Sequence, residues 1–135
     1  MKRLVVISDM HCGHQTGLTH PDYQDTKGKF AEVQKAMWDW YKERISALGT
    51  IDICVVNGDA VDGKGERSGG TELLTTDRNK QCDIAKKAID CIGAKKVCII
   101  YGTPSHVGKE EDWESILADK VKADIVGSHE WIDLE

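Results

Sequence analysis

Four nearly unbroken apolar runs, separated by polar and glycine-punctuated stretches, set the rhythm of this chain. Residues 3–8, 51–57, 96–102 and 123–126 read as strands, and residues 131–134 as a weaker fifth. "IDICVVN" and "KVCIIYG" are apolar along almost their whole length, which suits strands covered on both faces, as in a parallel sheet. Between the strands the period changes. In residues 29–49, Phe30, Val33, Met37, Tyr41, Ile45 and Leu48 recur at steps of three and four, and Gly49 is placed to stop the helix. A second helix, 76–92, carries Ile84, Ala85, Ala88, Ile89 and Ile92 along one side. A third, 110–122, opens on Glu110, Glu111 and Asp112 and closes on Lys120 and Lys122, an order that complements the helix dipole. Its buried stripe is Trp113, Ile116, Leu117 and Val121. Trp38, Trp40 and Trp113 read as core and core-edge residues. The order β-α-β-α-β-α-β predicts one α/β domain over residues 1–135, a mainly parallel sheet flanked by helices with right-handed crossovers.

In such a sheet, ligands gather beyond the carboxyl ends of the strands. Those ends read "SDMHCGH", "NGDAVDG" and "GTPSHVG". Asp9 and His11 stand two apart in extended backbone and aim the same way. Asp59 and Asp62 follow the second strand, and His106 follows the third. Carboxylates crowded into one cleft repel each other, and a cation relieves that repulsion. Mixed aspartate and histidine donors suit Mn, Fe, Zn or Ni better than Ca. Gly58 and Gly63 let the backbone pass close to a ligand.

These blocks resemble a known family. Asp9-x-His11, then Gly58-Asp59-x-x-Asp62-Gly63, then Gly102-Thr-Pro-Ser-His106 is similar to the calcineurin-like metallophosphoesterases, in whose pattern D-x-H and G-D-x-x-D are followed by G-N-H-[DE], a later histidine and G-H-x-H. The first two blocks match at every defined position. In the third, Thr103 stands where the family has a metal-bridging asparagine, and His106 falls two residues late, a variant that resembles phage-type members. The resemblance implies a two-metal phosphoesterase that cleaves a phosphodiester or phosphomonoester with a metal-bound hydroxide. Asp9 and His11 would bind the first metal, Asp59 would bridge both, and Asp62 would orient a neighbour. His106 would protonate the leaving group or hold phosphate, and Thr103 and Arg67 would touch substrate. Only the amino-terminal half of the family pattern is present, for no G-H-x-H follows. The chain therefore reads as part of the family's α/β sandwich. A complementing carboxyl-terminal segment or a second copy would supply the rest. The alternative is a non-catalytic metal-binding half-domain or one subunit of a split enzyme. A Rossmann-like nucleotide binder ranks lower, because the first turn lacks G-x-G-x-x-G.

Composition narrows the picture slightly. Eighteen basic and 23 acidic residues leave a net charge of −5, which disfavours loose charge-driven binding to nucleic acid while leaving it open as a substrate. No run is long enough to span a bilayer, and the expected compartment is the cytoplasm, with no membrane partner. Five cysteines without a CxxC pair predict free thiols, Cys54 and Cys98 buried and Cys12 a bystander exposed to oxidation. His14 and His20 read as exposed loop residues, and His129 as structural.

Overall fold

In a computed structural model of the chain, residues 1–103 and 112–134 are described, Arg67 by its backbone alone. Valine- and isoleucine-rich runs form a four-stranded sheet: β1 (Leu4–Ile7), β2 (Ile53–Asn57), β3 (Lys96–Ile100) and β4 (Ile125–Gly127). Their spatial order equals their chain order, and every neighbouring pair is parallel. Val55 at the centre stands opposite Val6 on one side and Cys98 on the other. The helices are α1 (Ala31–Leu48), α2 (Arg78–Ile92) and α3 (Trp113–Val121). The expected parallel α/β architecture is what the chain adopts.

Strand pleating divides the apolar residues into two layers. Cys54, Val56 and Ile99 face the main core, where Trp38, Tyr41 and Ile45 of α1 meet Ile84, Ala85, Ala88 and Ile89 of α2 and Leu117 of α3. The other face carries Ile53, Val55 and Cys98 with Leu4, Ile100 and Ile125, and among the described residues it is joined only by Ile132 of the tail. Helical cover therefore falls on one face of the sheet.

Three expectations are corrected. Residues 131–134 form no strand: Trp131 is 96% exposed, and only Ile132 packs, as a single side chain against the second face. The buried side of α1 is Gln34, Trp38, Tyr41 and Ile45, so Val33, Met37 and Leu48 turn outward, and Trp40 is exposed rather than core-edge. Gln34 takes a core position because its amide is satisfied there, accepting from Asp25 N–H at 2.9 Å and donating to Gln15 O at 2.8 Å. In α3, Glu114, Leu117 and Ala118 are buried, while Ile116 is exposed. Among the described residues no helix is long and apolar enough to cross a membrane.

Helix ends follow local chemistry. Asp77 caps α2, its Oδ1 accepting the N–H groups of Asn79 at 2.9 Å and Lys80 at 3.3 Å. Asp77→Ala is expected to cost about 1 kcal/mol. A lowered urea midpoint at unchanged slope is the readout; an unmoved midpoint would mean that water replaces the cap.

Candidate metal centre

The pairing of β1 with β2 continues past the strands. The N–H groups of Asp9, His11 and Cys12 donate to the carbonyls of Gly58 (3.3 Å), Asp59 (3.0 Å) and Ala60 (3.0 Å), and Asp62 N–H donates back to Cys12 O at 3.2 Å. Backbone hydrogen bonds thus zip the "DMH" turn to the "GDAVD" turn and fix where their side chains emerge. Asp9, His11 and Asp59 all have positive φ, at 53°, 44° and 48°, so Asp9 and His11 lie beyond β1 in left-handed rather than the expected extended backbone. Among the described non-glycine residues only Lys122, which ends α3, shares that region. Such backbone costs about 1–2 kcal/mol per residue, and it persists where surrounding structure enforces it, typically at functional sites.

That strain brings three donors together. One ligand atom each from Asp9, His11 and Asp59 lie within 4.8 Å of one another. His11 Nδ1 is 3.0 Å from Asp62 Oδ1, and its Nε2 is 3.9 Å from Asp9 Oδ1. A carboxylate only accepts, so Nδ1 carries the hydrogen that faces Asp62. Asp62 is buried, with its Oδ1 against the His11 ring. Asp59 is gripped from β3: its Oδ1 accepts the Thr103 N–H at 2.8 Å and the Thr103 hydroxyl at 3.2 Å. Thr103 thus acts on Asp59. Arg67 lies in a short turn, Glu66–Ser68, between the left-handed Gly65 and Gly69. His106 lies outside the described residues, and His129 is exposed beyond β4.

Buried polar residues that hydropathy alone passes over complete the surroundings. Gln81 of α2 donates to Gly63 O (3.0 Å) and Thr75 O (2.9 Å) and accepts from Gly63 N–H (3.0 Å), clamping the loop after β2. Glu114 of α3 accepts the Gly102 N–H through Oε1 at 3.1 Å. Burial pushes its carboxyl up from the ordinary value; the Gly102 N–H and its own N–H oppose this, and the charges of Asp112 and Asp59 add to it. Both residues had a sequence signal. Gln81 is three and four residues before Ile84 and Ala85, and Glu114 is three and four before Leu117 and Ala118, so each lies on a buried stripe.

A cleft of about 280 Å³ opens beside Asp9 and His11, lined also by Asp62, His14, Thr16 and Met37 but not by Asp59. His14 is half-buried there rather than free in a loop. Its Nδ1 accepts the Thr16 N–H at 3.1 Å, so the hydrogen of the neutral ring sits on Nε2. His20, by contrast, is structural: it stacks edge-on against Trp38 at 4.7 Å and accepts the Asp22 N–H. Burial lowers its basicity, against the pull of Asp22. Cys12, expected to be open to oxidation, is 0% exposed, and its thiol donates to Leu18 O at 3.2 Å. Burial first, then the nearby Cys82, pushes that thiol far above the range of a reactive cysteine. No protein-family model and no curated protein matches the chain.

Proposed function

We propose that the chain is a metal-dependent phosphoesterase of the calcineurin-like kind that its motifs resemble, hydrolysing a phosphodiester or phosphomonoester. The observation that carries this reading is the convergence of Asp9, His11 and Asp59 within 4.8 Å, with His11 oriented by Asp62. The donor set fits the cation. Two carboxylates and an imidazole suit Mn, Fe, Zn or Ni, and the Asp62–His11 pair is the outer-sphere arrangement that metal-binding histidines normally have. A bound divalent cation would polarise the phosphoryl oxygen and make water a better nucleophile.

The chain's own residues do the remaining work. Asp59, held by Thr103, and Asp9, at the mouth of the cleft, bring negative charge to the cation's position. His14 lines the same cleft, with its Nε2 3.9 Å from Glu72 Oε2. His106 keeps the proton-donor role that the resemblance implies. Nucleic acid stays within the substrate class as one kind of phosphodiester.

The apolar second face of the sheet favours a second reading, in which a second copy or a complementing carboxyl-terminal segment covers Leu4, Ile53, Val55 and Ile100 and completes the catalyst. The chain by itself would then be a metal-binding half-domain.

The test is Mn²⁺-dependent hydrolysis of bis-p-nitrophenyl phosphate, with metal content measured on the same sample. Turnover supports the enzyme, bound metal without turnover supports the half-domain, and absence of both would overturn the metal centre. Asp62→Ala is expected to weaken Mn²⁺ binding by about 10–100-fold, the usual worth of a partner behind a metal-binding histidine. Unchanged affinity by calorimetric titration would remove Asp62 from that role.

A further inference from the structure

Two outward-turned residues of α1 and one of β1 share a groove. Met37, Trp40 and Val6 are 36%, 61% and 56% exposed. All three line a space of about 320 Å³ built from β1, the loop after it and α1. Asp9, Met10 and Met37 also line the cleft beside His11, so groove and cleft adjoin. Trp38 is buried against the rings of His20 and Tyr41, whereas the Trp40 indole makes no ring contact among the described residues. Large apolar side chains left open together mark a surface that takes a partner or ligand, and the volume is that of a small-molecule site. The groove also has a polar side. β1 is an edge strand, and an edge strand carries N–H and C=O groups that no sheet neighbour takes up.

We propose that this groove receives the base of a nucleotide-type phosphoester whose phosphate lies at the Asp9–His11–Asp59 centre. The inference rests on the phosphoesterase reading and names its substrate class. A base offers a flat apolar face to Trp40 and Met37, and donor and acceptor atoms at its rim to the open side of β1. An open strand edge also accepts a peptide strand. Continuity with Asp9 favours the ligand that carries a phosphate, since a peptide brings none to the cation.

Calorimetric titration of the Mn²⁺-loaded full chain decides the matter by comparing adenosine 5′-monophosphate with ribose 5-phosphate, which has the same phosphate and sugar without the base. The wild-type chain is expected to bind the adenosine compound about tenfold more tightly, the worth of one base stacked on an aromatic ring. Trp40→Ala is expected to abolish that preference while Mn²⁺ uptake stays unchanged. Met37→Ala is expected to reduce the preference, and it decides the question if the tryptophan variant does not fold. Equal affinity for the two compounds in the wild type, or an undiminished preference in both variants, would overturn the inference and leave the metal centre standing. So would sedimentation showing that Trp40→Ala turns a wild-type dimer into a monomer, which would make the groove a contact between copies. No Mn²⁺ uptake by the wild-type chain would overturn the metal-centre reading and this inference with it.

Discussion

Asp59→Asn is expected to reduce Mn²⁺ affinity, and with it any metal-dependent phosphodiester hydrolysis, by more than about 100-fold, beyond the worth of an outer-sphere partner. The residue is a donor of the three-residue cluster and is held by Thr103. Asparagine is the replacement that isolates charge from fold. Its side-chain oxygen can accept the same Thr103 N–H, and it tolerates the φ of 48° better than other non-glycine residues. Thermal melting of the metal-free variant should therefore match the wild type, so that lost binding cannot be ascribed to unfolding. Calorimetric Mn²⁺ titration beside turnover of bis-p-nitrophenyl phosphate gives the answer. Wild-type affinity in the asparagine variant would show that Asp59 binds no metal.

Gly17→Ala is the second change with a large expected effect, and it acts through packing. The loop after β1 folds back so tightly that a Cβ on Gly17 would sit 2.0 Å from the His11 carbonyl oxygen and 2.8 Å from its carbon. Both are backbone atoms, with no side chain to swing aside. The carbonyl is also tied, accepting the His14 N–H at 3.0 Å, while Leu18 N–H bonds Met10 O at 2.9 Å. The added methyl must move the His11 peptide, at a cost of about 1–3 kcal/mol or somewhat more. Because His11 already sits at a strained φ, the same shift should turn its Nε2 away from Asp9 and weaken Mn²⁺ binding. Urea denaturation and metal titration on one preparation test both halves. Wild-type values in both would mean that the loop moves aside freely.

Much of this arrangement was legible in the chain, for identifiable reasons. Apolar runs without alternation announced the strands, though among the described residues helices cover only one face of the sheet, and intervening periods of three to four announced crossover helices; parallel pairing follows from that order. D-x-H and G-D-x-x-D stood at strand ends, where a parallel sheet collects ligands, and the structure joins Asp9, His11 and Asp59 there. What stayed hidden was polar residues on apolar stripes. Gln34, Gln81 and Glu114 are buried because loops distant in sequence present them with partners, and a hydropathy pattern records no partners. The face of α1 was misread for the same reason, since Gln34 holds a place that Val33 seemed to claim. Residues 131–134 suggested a strand because three of the four are apolar, yet only Ile132 packs against the sheet.

The identity of spatial and chain order in the sheet has a consequence in time. Each strand docks beside the one made just before it, so no later segment must be inserted between earlier ones. Synthesis proceeds from the amino terminus, and folding can follow it. Asp9, His11 and Asp59 all belong to the first strand–helix–strand unit, so the donor cluster is complete once β2 pairs with β1. Thr103 bonds Asp59 only after β3 has been made, and Glu114 bonds Gly102 only after α3 has been made. The Asp9–His11–Asp59 cluster is therefore assembled early and the side-chain grip on Asp59 last, so a chain halted before residue 103 would hold Asp59 by its backbone alone.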